Sequence, residues 1–346
     1  MAFKSILVTG GAGFIGSNFV RLVATEQPGS AITVLDALTY AGNMENIGDL
    51  VDAGRVRFVK GDICDPKAVR EAMDGAEVVF NFAAETHVDR SIEEAASFIE
   101  TDIQGTYNLL NFARQFRVRR YVQISTDEVY GSSEGEGFTE ESPLRPGNPY
   151  SASKCGADLM CLAFANTYRV PLVITRSSNN FGPYQHVEKF IPLFTTNAME
   201  GKDLPLYGDG MHMRDWLYVE DNCRAIALVA EKGADGGIYN IAVGNSQPNL
   251  RIAELILKHV GPSKAKIVFI EDRKGHDRVY KLAAEKVRAL GWAPRTDFAD
   301  AMERTVRWYV ANRGWWERVK SGAFREYYEK HYGARLARGK AQPGGL

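Results

Sequence analysis

The stretch "SILVTGGAGFIGSNFV", residues 5–20, decides the fold. Its first residues form a short apolar run that ends at Thr9. Gly10, Gly13 and Gly16 follow at the spacing G-x-x-G-x-x-G, and "FIGSNFVRLVAT" (14–25) repeats its apolar residues at a helical period. A strand, a glycine turn and a helix are therefore expected in that order. Glycines let backbone N–H groups approach a phosphate closely, and the helix N-terminus adds a dipole that favours negative charge. By itself the spacing is weak; its surroundings have to support it.

They do. Asp36 ends the next strand-like run, "AITVLDAL" (31–38), twenty positions after Gly16. An acid there accepts hydrogen bonds from the ribose hydroxyls of adenosine and repels a 2′-phosphate, which favours NAD over NADP. Asp62–Ile63 closes a third run, "VRFVKGD" (56–62), where an adenine ring would lie. "EVVFNFAA" (77–84), "RYVQIST" (120–126) and "PLVITRSS" (171–178) look like further strands. Helical patterns such as "PKAVREAMD" (66–74) and "IQGTYNLLNFARQF" (103–116) lie between them. Buried-type strands alternating with helices specify an α/β fold, a doubly wound parallel Rossmann sheet.

The rhythm breaks after about residue 178. We expect an NAD-binding domain over 1–178 and a smaller C-terminal α/β substrate domain, mainly over 179–332. Segment 217–243 is expected to return to the first, because it reads strand-then-helix. Residues 333–346 have few large apolar side chains and read as a mobile tail. The 346 residues suit two domains. A net charge of −1 argues against a nucleic-acid partner. No apolar run reaches the length of a membrane span. The strand beginning near residue 5 leaves no room for a signal peptide. The four cysteines match no zinc spacing and read as thiols of a cytoplasmic protein, so no metal is expected.

Two short motifs carry chemistry. In "NPYSASK" (148–154), Asn148 can cap a helix that Pro149 begins, which puts Tyr150 and Lys154 on one face at i and i+4. A tyrosine used as a base near neutrality needs its pKa lowered by about 3 units, roughly 4 kcal/mol. One cation about 4 Å away at an effective dielectric of ~20 supplies that much. Lys154 is expected to stand farther off, so the positive nicotinamide ring must contribute. In "STDEVYG" (125–131), Thr126, Asp127 and Glu128 follow the end of a parallel strand, where such sheets bind ligands. Neighbouring carboxyls in unequal surroundings can hold opposite proton states. An elimination needs that pair; a plain dehydrogenase does not.

Together these motifs resemble the extended short-chain dehydrogenase/reductases, and within them the nucleoside-diphosphate-glucose 4,6-dehydratases. The resemblance extends through "FAAETHVDRSI" (82–92), "SSNNFGPYQ" (177–185), "EKFIPLF" (188–194), "LYGDGMHMRDWLYVEDNCRAI" (206–226) and "DRKGHDRVY" (272–280), over about residues 4–316. It implies a triad of Thr126, Tyr150 and Lys154, with Tyr150 taking the C4 hydroxyl proton during oxidation by NAD. Glu128 then removes the C5 proton, Asp127 protonates the departing C6 hydroxyl, and hydride returned to C6 gives a 4-keto-6-deoxy sugar. It implies dinucleotide contacts at Phe14, Ile15, Ala83, Ala84, Thr101 and Asn180, besides the residues above. It implies sugar-nucleotide contacts at Thr86, His87, Thr126, Asn179, Lys189, Phe190, Pro205, Tyr207, Arg214, Asn249, Arg273 and His276.

A homodimer built on helices within 93–116 and 151–168 is implied as well. The expected substrate is dTDP-glucose, with UDP-glucose or another such hexose as the alternative. Departures from the family pattern at Thr86, His186–Val187, Lys274 and Val279 lie on the sugar-nucleotide side, so they bear on the base rather than on the reaction. Two competing functions stay open. A 4-epimerase or UDP-sugar decarboxylase on the same scaffold would not need Asp127 and Glu128. An NAD-sensing module would not need Thr126, Tyr150 and Lys154.

Overall fold

The computed structural model describes residues 3–133, 135, 137–272, 278–321 and 323–341. The first strand-like runs become β1 (Ser5–Thr9), β2 (Ala31–Asp36), β3 (Val56–Lys60), β4 (Val78–Asn81), β5 (Arg120–Thr126) and β6 (Leu172–Ser177). Three short strands follow, β7 (Asn179–Phe181), β8 (Leu204–Tyr207) and β9 (Met213–Tyr218), before β10 (Gly237–Ile241). Seven of these make one sheet in the order β10-β6-β5-β4-β1-β2-β3, every neighbouring pair parallel.

Side-chain alternation explains why the sheet is covered on both sides. In β1, Ile6 and Val8 face one core while Leu7 faces the other. The first core takes Phe19 and Val23 from helix Phe14–Glu26 and Ile226 from helix Val219–Lys232. The second takes Val69 from helix Pro66–Met73, Leu109 from Thr106–Phe116 and Phe164 from Pro149–Tyr168. A parallel sheet buried on both faces is the doubly wound α/β architecture expected from the sequence. Its strand order reverses between β1 and β4, so a crevice opens there beyond the carboxyl ends.

The remaining chain builds two three-stranded sheets, β11-β9-β7 with β11 (Ser246–Pro248), and β13-β12-β8 with β12 (Ile267–Ile270) and β13 (Lys340–Ala341). The aromatic run 307–316 sends Tyr309, Trp315 and Trp316 into their core. Trp315 also ties the two units together, donating from Nε1 to Asn46 Oδ1 at 2.9 Å. Within 333–346 the described residues carry helix Ala334–Arg338 and β13, which pairs antiparallel with β12. That pairing is made by backbone groups, which composition does not reveal; residues 342–346 lie outside the described residues. Among the described residues no helix is long and apolar enough to cross a membrane.

Candidate active site

The glycine turn is set by close backbone approach. Gly10 has φ +66, and a Cβ on it would stand 2.6 Å from the Ala83 amide nitrogen. A Cβ on Gly16 would stand 2.2 Å from the Gly10 carbonyl oxygen. The helix that begins at Phe14 has no side-chain cap and no acid in its first turn, so its leading amides are available to an anion. Asp36 fixes the other wall. Its Oδ2 accepts from the Ala12 amide at 2.9 Å and its Oδ1 from the Leu38 amide at 2.8 Å.

Every residue expected to touch the dinucleotide, from Gly10 to Asn180, lines one cavity of about 300 Å³, and so do Thr126, Asp127 and Glu128. Buried Asn180 Oδ1 has no hydrogen-bond partner among the described residues. An open helix start, a ribose-side acid and an orphaned amide oxygen fit a bound NAD. The loop residues Thr39, Ala41 and Gly42 also line this cavity. No spacing rule marks them; only proximity to Asp36 in the chain would have.

Helix Pro149–Tyr168 delivers the phenol and the lysine. Asn148 Oδ1 accepts from the Ser151 amide at 2.9 Å, and Ser151 Oγ accepts from the Asn148 amide at 3.2 Å, which closes a capping box ahead of Tyr150. Lys154 Nζ donates to the Ile124 carbonyl at 2.8 Å and is buried beneath the end of β5. Beside it, Ser153 Oγ donates to Asp102 Oδ2 at 2.5 Å, and Asp102 Oδ1 accepts from the Glu85 amide at 3.0 Å. Asp102 was not found from the sequence. Its partners lie in distant segments, and a polar residue in a helical stretch carries no signal.

The electrostatics differ from the sequence expectation at Tyr150. Burial pushes its phenol well above the ordinary value, the charges of Glu128, Asp102 and Asp127 push the same way, and the Thr126 hydroxyl opposes them. The net push of this environment is toward the protonated phenol.

Asp127 and Glu128 are unequal, as an elimination requires. Asp127 is buried, accepts from Thr126 Oγ1 at 3.2 Å on Oδ1, and has no partner for Oδ2 among the described residues. Burial first, and the Glu128 charge second, raise its pKa to about 8, against the pull of Arg214 and Thr126. Glu128 is half-buried and accepts from Tyr280 Oη at 3.5 Å.

A second cavity of about 180 Å³ adjoins the first and shares Thr86, Glu128, Asn179 and Lys189 with it. The other described residues expected to bind the sugar nucleotide line it too: His87, Phe190, Pro205, Tyr207, Arg214 and Asn249. Thr126, assigned to both sets, lines only the first. Arg273 and His276 lie outside the described residues. Arg214 is buried, donates to the Met213 carbonyl at 2.8 Å and sits 4.3 Å over the Tyr280 ring. Asn179 Oδ1 and Asn249 Oδ1 are buried with no partner among the described residues. His87 is held down to about 4, chiefly by burial, so it is neutral near pH 7 and offers no charge to a diphosphate. Glu188 and Trp216 fall inside the quoted segments 188–194 and 206–226 but were not singled out as contacts, and Tyr332 lies beyond every quoted motif; all three line the cavity.

Residues 7–305 match the family model described as GDP-mannose 4,6 dehydratase. A protein of Streptomyces niveus named dTDP-glucose 4,6-dehydratase is 50% identical over 321 residues, which span 91% of this chain and 96% of that protein. The crystal structure of the dTDP-glucose 4,6-dehydratase DesIV from Streptomyces venezuelae, solved with NAD bound, superposes with a TM-score of 0.88 at 49% identity. It covers 91% of this chain and 100% of that one. A UDP-glucose 4-epimerase from Thermus thermophilus in complex with NAD gives 0.81 at 30% identity, covering 89% and 99%.

Proposed function

The chain belongs to the GDP-mannose 4,6-dehydratase family, and on that premise we propose that it is an NAD-dependent hydro-lyase acting on dTDP-glucose. The products are dTDP-4-keto-6-deoxyglucose and water. Gly10, Gly13 and Gly16 with the helix start hold the pyrophosphate, Asp36 the adenosine ribose, and Asn180 the nicotinamide end. When bound, NAD supplies reversible hydride acceptance between C4 and C6 of the sugar. Tyr150 moves the C4 hydroxyl proton, kept in place by Thr126, while Lys154 lends positive charge beneath it. Glu128 takes the C5 proton once the ketone has made it acidic, and Asp127 gives its proton to the departing C6 hydroxyl. Arg214, Lys189, Asn179 and Asn249 hold the sugar nucleotide.

One observation carries this assignment: two adjacent carboxyls at the end of β5, one buried with an oxygen that has no partner among the described residues, the other half-exposed. A 4-epimerase or decarboxylase would have no use for a buried acid poised that way, and the epimerase likeness is also the weaker one. The thymine base rests on the names of the relatives, with UDP-glucose next in line. The test is dTDP-glucose deuterated at C4. The expected product carries the deuterium at C6 of the same molecule. A galactose-configured product, or a keto sugar without the label at C6, sinks the proposal.

The same enzyme is proposed to work as a cytoplasmic homodimer. Its four cysteines are free thiols. Ile92, Ile99, Tyr107 and Leu159 are all exposed, on helical segments within 88–116 and 149–168. Large apolar residues left exposed on helical segments that pack against one another suit contact with a second copy.

A further inference from the structure

The loop after β2 carries one residue turned to a different task from its neighbours. Thr39, Ala41 and Gly42 line the first cavity. The loop that brings them there is a tight one: Leu38 takes φ +54, the Gly42 amide donates to the Thr39 carbonyl at 3.1 Å, and the Asn43 amide donates to the Ala12 carbonyl at 3.1 Å. Tyr40, between them, meets two other segments instead. The Arg90 guanidinium stands 4.2 Å over its ring centre, and the His186 ring meets it edge-on at 5.6 Å.

Arg90 is itself held. From helix Val88–Glu93 its Nε donates to Glu188 Oε2 at 3.2 Å. Glu188 is buried, and its amide donates to His186 Nδ1 at 3.4 Å. A guanidinium on an aromatic face attracts most where water is kept away, and a buried carboxylate fixes where that guanidinium stands. The far end of this chain of contacts reaches the ligands. Glu188 lines the second cavity, and its neighbour Lys189 lines both. Among the described residues that line the two cavities, neither Tyr40 nor Arg90 appears. They connect the sites without touching what fills them.

We propose that Tyr40 is a positioning residue: Arg90 clamps its ring and so latches loop 37–43 onto the bound dinucleotide, and Glu188 makes the strength of the latch depend on what fills the second cavity. This rests on the NAD-dependent nucleotide-sugar reading above. The proposed reaction returns its hydride within one turnover, so the dinucleotide has no need to exchange. A sugar nucleotide settled against Glu188 and Lys189 holds Arg90 on the ring, and each ligand then favours the other.

The test loads the protein with radiolabelled NAD and follows its release into excess unlabelled NAD, with and without saturating dTDP. Without dTDP, Tyr40→Leu is expected to release the label about two- to thirtyfold faster than the wild type, the range for losing a cation from an aromatic face. Arg90→Leu is expected to do the same. The double variant is expected to be no faster than the faster single one, because both changes remove one shared contact; two unrelated packing losses would multiply. Tyr40→Phe keeps the ring and is expected to match the wild type. Saturating dTDP is expected to slow release about fivefold or more in the wild type, and to have no effect in either leucine variant. In the NAD-loaded wild type it is also expected to slow amide hydrogen exchange over 37–43. Release from Tyr40→Leu at the wild-type rate overturns the proposal, and so do rates that multiply in the double variant. Exchange over 37–43 that ignores bound dTDP overturns it too, a measurement that needs no variant. If calorimetry shows that dTDP does not bind, the nucleotide-sugar reading falls, and the release rates without dTDP still decide the latch. A protein that meets every expectation yet dehydrates no sugar nucleotide would sink the proposed function alone.

Discussion

Asp127 and Glu128 are neighbours in the chain, and what separates them is water. Asp127 is shut away with one oxygen unpartnered among the described residues, and Glu128 is half-open. Because burial raises Asp127 from its ordinary 3.8 to about 8, it carries its proton below that pH and loses it above. Turnover limited by the elimination should therefore hold level through neutrality and fall as pH rises through about 8. Asp127→Asn and Glu128→Gln should each lose dehydration by about 10²–10⁴-fold, the usual worth of an acid or base. Substrate should still reduce the bound cofactor in both, seen by its near-ultraviolet absorbance in stopped flow. Wild-type dehydration in either variant removes the assigned role. These two acids, and Tyr150 with Lys154, were legible because each pair falls within five consecutive residues. Asp102 was not: its bond to Ser153 spans 51 positions, and only folding brings the two together.

At the scale of elements, the glycine turn and the segment before helix Thr106–Phe116 show opposite kinds of legibility. The turn was readable because its glycines answer to sterics. A methyl on Gly16 would meet the Gly10 carbonyl at 2.2 Å, a distance backbone atoms cannot yield to cheaply. Gly16→Ala is thus expected to weaken NAD binding, measured by titration calorimetry against the wild type. The other segment was read as one helix from 103 to 116. It is instead a π-turn over Ile99–Gly105 leading into the α-helix. The wider turn places Thr101 on the first cavity and buries Asp102. Helical periodicity cannot distinguish a π-turn from an α-turn over so few residues, and such turns gather at functional sites.

For the whole molecule, strand rhythm was enough to give the class of fold, because a sheet buried on both faces leaves a continuous apolar signature in each strand. It could not give the segments whose placement depends on partners far along the chain, such as the C-terminal helix and β13. Assembly belongs to this scale too. Leu159 is 54% exposed and Ile99 57%. A buried, unpaired charge at a dimer contact costs several kcal/mol, so Leu159→Glu should convert the dimer to monomers in analytical ultracentrifugation. A wild type that sediments as a monomer would remove the dimer proposal.

The last strand of the large sheet comes late. β6 ends at Ser177, and β10, which covers its edge, does not begin until Gly237. During synthesis six strands can assemble while that edge stays bare, an open invitation to any other extended chain. Ribosome-bound chains with Gly236 just outside the exit should therefore recruit a holdase chaperone more strongly than chains with Val260 outside. The enzyme would then be most vulnerable not when folded or unfolded but part-way through being made.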